Sequence, residues 1–190
     1  MEFSAWMRFH QHRDILTNKH LSIYSRIKFF NTVITPTILF GLSSCAMTRA
    51  RMCSLDALQR RMLRKIVGWT RLVDEPWEDT MRRMRLKVDS ALTKYPMEDW
   101  SAQLLRRQFR LAYRVGSMIG SWPARLSRWH PPTTFPGAGR GRGRPAVRWD
   151  DYLRRFSHAS FGTDWIEAAL TKDFATREDD FVQFSIERQQ

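Results

Sequence analysis

Residues 48–68 read TRARMCSLDALQRRMLRKIVG. Met52, Leu55, Met62 and Ile66 recur at the three- and four-residue intervals of one α-helical face. Thr48 stands where a hydroxyl can cap the first amides, and Gly68 supplies a residue suited to closing the helix. Arg60, Arg61, Arg64 and Lys65 crowd the last two turns, at the negative end of the helix dipole. The stretch predicts a single amphipathic helix.

Similar patterns lie on either side. From Ser22 to Leu42, Ile23, Ile27, Phe30, Ile34 and Ile38 keep a helical period, and Pro36 predicts a kink. From Glu98 to Ile119, Leu104, Leu105, Phe109, Ala112 and Val115 alternate with Arg106, Arg107, Arg110 and Arg114. Pro131, Pro132 and Pro136, with Gly137, Gly139, Gly141 and Gly143, break regular structure. Trp149–Phe156 and Thr163–Phe184 then read as shorter helices, with Thr163 as N-cap and Asp164 in the first turn. No β-alternating run and no internal repeat occurs. The chain is expected to be all-α: a helical bundle at 1–70, a basic helical connector at 71–130, a Pro/Gly/Arg-rich linker at 131–148, and a C-terminal helical segment at 149–190. Residues 1–21 are expected to be poorly ordered if they normally pack on structure outside this chain.

The 190 residues suffice for one domain or two small ones, and an apolar fraction of 43% permits a true core. Charge is the unusual quantity: 32 basic against 19 acidic residues, net +13. The excess is concentrated. Residues 101–156 carry twelve basic and two acidic groups, whereas 157–190 carry three and seven. Such a surplus opposes compaction and points to a polyanionic partner. Only six of the cations are lysine. Guanidinium binds phosphate bidentately and stacks on bases, so the arginine bias suits nucleic acid. The acidic tail is expected to cover part of the basic surface.

Cys45 and Cys53 with five scattered histidines offer no zinc spacing and no disulfide framework, which predicts a reducing compartment. The longest apolar run, Val33 to Leu42, is too short and too interrupted to span a bilayer. A soluble intracellular chain, without metal or cofactor, is expected.

Four phrases then carry a resemblance. Arg26 to Gly41 reads RIKFFNTVITPTILFG and resembles the helix that follows the palm in LINE-type reverse transcriptases, where a basic-apolar helix runs into V-x-P-x-x-x-Y-G; Phe40 stands in the Tyr place. Thr48, Leu55 and Gln59–Gly68 are similar to that family's "T…L…QRRMLRxIVG" helix. Arg140 to Leu153 reads RGRGRPAVRWDDYL and resembles its C-terminal "GRPxxRWxDD" phrase, with Tyr152 replacing the second Asp. Trp165 and the stretch 177–181 sit where the family has a last Trp-containing helix. The order is kept from about residue 5 to 184. The resemblance implies the thumb-like and C-terminal parts of a non-LTR retrotransposon RNA-directed DNA polymerase, with the catalytic palm upstream of this chain. It favours the nucleus over the cytoplasm, and implies contact with that palm and RNA, DNA or hybrid duplex as partner. No membrane, no small-molecule substrate and no catalysis by this part are expected.

The candidate residues admit bland readings too. Polymerase chemistry needs carboxylates on a rigid sheet holding two metals. Asp150–Asp151 and Asp179–Asp180 instead read as helix-opening or solvated acids. The run 137–145 invites three readings: a phosphate-cradling GxGxxG loop, for which the preceding strand is missing, a flexible basic linker, and an AT-hook at Arg142–Pro145 reaching a narrow minor groove, with general phosphate contact by Arg140, Arg142, Arg144 and the nearby Arg148 as the remaining use. Trp6, Trp77, Trp100, Trp122, Trp129 and Trp165 are expected to anchor the core. Trp69 and Trp149 adjoin basic clusters and are open to core packing or base stacking. On the helix 48–68, Asp56 is spaced to pair with Arg60, while no acid is spaced for Arg61, Arg64 or Lys65. This set, with Arg106, Arg107 and Arg110, forms the candidate nucleic-acid surface. The alternative is a helical interaction module whose basic segment binds an acidic protein.

Overall fold

The computed structural model describes residues 2–118, 120–128 and 148–187. Within them the chain is all-helical, with no strand. The helices are α1 (Glu2–Gln11), α2 (Arg13–Leu16), α3 (Ile23–Phe29), α4 (Thr35–Leu39), α5 (Arg49–Ile66), α6 (Trp77–Lys94), α7 (Trp100–Ser117), α8 (Trp122–Arg128), α9 (Asp151–Phe161), α10 (Trp165–Ala168), α11 (Lys172–Thr176) and α12 (Glu178–Glu187). They form two compact units, one of residues 1–42 and 49–103, the other of residues 43–48 and 104–190. The division does not follow the segments suggested by composition: residues 71–103 fold with the N-terminal helices.

In the first unit, Ala5 and Phe9 of α1 and Leu16 of α2 are buried, so the N-terminal stretch is ordered by its own apolar residues. That corrects the expectation for residues 1–21. Ser22 caps α3, its Oγ accepting from Ser25 N at 3.1 Å. The expected kink is a π-helical stretch, Phe30–Ile34, that runs into α4 with Pro36 in its first turn. Proline has no N–H to give the preceding turn, and a π turn accommodates that loss without breaking the helix. Helix α5 starts directly after Thr48 and is closed by Gly68, whose φ is +90°. Arg26 Nη1 donates to Ile66 O at 2.5 Å, placing a cation on the carbonyl end of α5. Helix α6 is not apparent in the sequence pattern; Thr80, Met84, Val88 and Ala91 form its buried stripe.

In the second unit the core is aromatic. Phe109 of α7 stacks on Phe174 at 4.6 Å and lies 5.3 Å from Phe181, and Phe156 of α9 packs edge-on to both Phe109 and Phe181. Gly116 lets α7 approach α10 closely: a Cβ there would stand 2.5 Å from Ala169 Cβ. The single helix suggested by Thr163–Phe184 is three short ones, and Asp164, not Thr163, caps the first by accepting from Ile166 N at 3.0 Å.

Candidate nucleic-acid interface

Two α5 side chains fix that helix against the start of α7. The first amides of a helix lack intrahelical acceptors. Gln59 Oε1 accepts from Trp100 N at 2.8 Å, and Asp56 Oδ1 accepts from Ser101 N at 2.8 Å. Gln59 Nε2 also donates to Glu98 O at 3.1 Å. Trp100 is fully buried, stacks on Phe30 at 5.6 Å, and donates from Nε1 to Thr35 Oγ1 at 2.9 Å. Burial pushes the Asp56 carboxyl up despite the Ser101 hydrogen bonds.

With that face held inward, the opposite face of α5 presents the basic set. Met52, Leu55, Leu58, Met62, Leu63 and Ile66 are buried, Arg60, Arg61 and Lys65 are exposed, and Arg64 is half-buried. The pairing expected from the four-residue spacing does not occur. Arg60 reaches Asp99 at 3.1 Å instead, while Asp56 is committed to the Ser101 amide. The pair is half-exposed on both sides and contributes little to stability. Arg64 has no carboxylate partner among the described residues. Burial, then the nearby Arg61 and Arg60 charges, lower its affinity for the proton. Lys65 likewise has no acidic partner among them.

Helix α6 adds a second row that the sequence pattern does not single out. Arg82 and Arg85 face Arg60 and Arg64 across a cavity of about 450 Å³, floored by Leu63, Met81, Val88, Leu92 and Met97. Arg82 also bonds Asp79 at 2.8 Å, and Arg85 lies 3.9 Å from Asp89. The row is hidden in the sequence together with the helix that carries it.

The arginines of the second unit are differently placed. Arg106 pairs with Glu178 at 3.4 Å and Asp179 at 2.5 Å, while Arg110 grips Glu178 through Nε at 2.9 Å and Nη2 at 2.8 Å. The first turn of α12 thus supplies carboxylates to Arg106 and Arg110 of α7. This pairing is anchored: Phe181 on α12 and Phe174 before it are fully buried. Arg107 is half-buried.

Arg148 has a structural partner as well. Its Nε lies 3.3 Å from Asp150, whose side chain is fully buried and also accepts from Arg154 Nε at 2.7 Å and Trp165 Nε1 at 3.2 Å. Asp150 stands at the N-cap position of α9 and Asp151 in its first turn, as the helix-opening reading expects, but the Asp150 side chain makes no cap hydrogen bond and is fully buried rather than solvated. Hydrogen bonding to Asp150 raises the Arg154 pKa. Trp149 packs edge-on to Trp165 at 5.6 Å, and Trp165 and Trp100 are the core anchors expected. Trp77 and Trp122, at 57% and 69% exposure, are not. Trp69 is exposed and meets Trp77 at 5.8 Å. Arg140, Arg142, Arg144 and Trp129, with the whole linker motif, lie outside the described residues.

Among the described residues, no group of three or more His, Cys, Asp or Glu could hold a metal ion, and no helix is long and apolar enough to cross a membrane. In comparisons with known proteins, no family profile, curated protein or solved structure matches the chain.

Proposed function

We propose that this chain binds nucleic acid through the arginine surface of α5 and α6, as the thumb-like region and its extension in a non-LTR retrotransposon reverse transcriptase. The observation that carries the binding reading is Arg64 with Lys65: adjacent cations on α5, without acidic partners among the described residues, beside Arg60 and Arg61. Uncompensated guanidinium on a rigid helix favours a phosphate, which accepts two N–H bonds at once and relieves the mutual repulsion. Kinship with the retroelement enzyme rests on the ordered sequence phrases alone. Two of their residues have local roles here: Gln59 caps α7, and Asp150 anchors two arginines and Trp165.

The test is a gel-shift series with RNA, DNA and hybrid duplexes at two salt concentrations, repeated with Arg60, Arg61 and Arg64 changed to Ala. Binding that weakens with salt and drops in the triple variant supports the reading; equal binding by both chains rejects it. One interaction favours a second reading, an acidic protein partner. The α12 acids on Arg106 and Arg110 show the geometry such a partner would use. Polyglutamate competing as well as duplex would select that reading.

A further inference from the structure

The cavity between α5 and α6 has a composition that phosphate binding does not use. Its floor is aliphatic: Leu63 and Val88 are buried, and Met81, Leu92 and Met97 are half-buried. Its volume, about 450 Å³, falls within the size of small-ligand pockets. Four arginines and two aspartates line it, so the wall is net cationic. Arg64, on that wall, is half removed from water with no carboxylate partner among the described residues.

We propose that this cavity binds a small anionic amphiphile, with a hydrocarbon body on the methionine and leucine floor and a single carboxylate or phosphate head on Arg64. Charge complementarity selects the anion. The floor selects the body: it has no hydrogen-bonding group to meet the edge of a nucleobase, and Gln59, the one amide on the wall, is committed to Glu98 and Trp100. Burying a base there would strip its polar atoms of water without replacement, whereas an alkyl chain loses nothing. Two flexible methionines let the floor fit chains of different shape. The site stands apart from the nucleic-acid reading, although Arg60 and Arg64 serve both.

Calorimetric titration of the full chain with decanoate below its micellar concentration tests the proposal, beside decanol, decyltrimethylammonium, adenosine monophosphate and polyglutamate. Decanoate is expected to bind most tightly. Arg64→Gln should weaken it roughly tenfold or more, the share of a charge-assisted hydrogen bond, and leave decanol unchanged. Leu92→Trp should fill the floor and abolish decanoate binding; Met97→Trp makes the same test at a second position, with helicity checked by circular dichroism. No decanoate binding, equal binding of decyltrimethylammonium, tighter binding of the nucleotide or polyglutamate, or indifference to a folded floor-filling variant overturns the proposal. Duplex binding separates the two readings. Duplex retained while decanoate fails rejects this site alone, and the converse rejects the nucleic-acid reading alone.

Discussion

Arg83 and Glu75 form a bidentate ion pair, Nε to Oε1 at 2.8 Å and Nη2 to Oε2 at 2.7 Å, that fastens the loop before α6 onto the helix itself. The same guanidinium donates to Thr70 O at 2.8 Å, and Thr80 Oγ1 donates to Glu75 at 2.7 Å. The loop so held carries Leu72 and Val73 outward and includes Asp74 at φ +59°.

The clasp has a pH signature. Hydrogen bonds from Arg83 and Thr80 lower the Glu75 pKa from 4.5 to about 2. A depressed folded-state value means that the contribution is fully present above the unfolded pKa and is lost as pH falls through the folded one. Glu75→Gln is therefore expected to lower Tm at neutral pH. The gap between the two chains should shrink from about pH 4.5 downward and close near pH 2 in a thermal-melt series. A gap independent of pH would contradict the ion pair.

Asp150→Asn should be costly for a different reason. The carboxylate is fully buried against Arg148 and Arg154, whose side chains are about one-third exposed. Losing the charge removes the buried carboxylate that two guanidinium groups share, while solvent softens the penalty. A destabilisation of about 2–4 kcal/mol is expected from the denaturant midpoint, somewhat below the range for a fully buried pair. A loss below about 0.5 kcal/mol, the level of an ordinary surface change, would contradict this.

Gly116→Ala is expected to destabilise by about 1–3 kcal/mol through overpacking against Ala169. The opposing group is a single methyl, so Gly116→Ala with Ala169→Gly should recover part of the loss. Equal stability of single and double variants would place the strain elsewhere.

Salt dependence distinguishes the two arginine rows. On duplex, log K falls by about 0.9 per neutralised phosphate for each decade of salt. Arg60, Arg61 and Arg64 changed to Ala should flatten the slope by roughly one unit for each phosphate left without its arginine. Arg106 and Arg110 changed to Ala should flatten it less, since both already face carboxylates. Glu178→Gln with Asp179→Asn should steepen the slope and tighten binding at low salt. Removing residues 171–190 altogether should instead unfold the second unit, because Phe174 and Phe181 leave with them.

Helix α5 is legible in the sequence because its apolar residues are large and regularly spaced, and Gly68 closes it at the expected place. Helix α6 is not. Its buried stripe includes Thr80 and Ala91, which carry little hydrophobic signal, and exposed charges dilute the rest. The first helix is hidden for a different reason: Phe3, Ala5, Trp6, Met7 and Phe9 follow one another too closely to mark one face, and only the structure shows that Ala5 and Phe9 are buried while Met7 is exposed. The basic positions of the α5 surface can be read from spacing; their partners cannot. Asp99 lies 39 residues from Arg60, and Glu178 lies 72 from Arg106. Local periodicity contains no information on pairings of that range.

The π turn at Phe30–Ile34 holds a phase shift within a continuous helix. One residue beyond the α-helical repeat turns everything after it by roughly 100° about the axis. Thr35 owes its bearing toward the Trp100 indole to that rotation. A chain lacking a single residue between 30 and 34 would keep every side chain of α4 yet aim each at a different neighbour. Length in this stretch is therefore more constrained than identity: exchanges of similar size should be tolerated, and a deletion should leave the indole N–H of Trp100 without its acceptor.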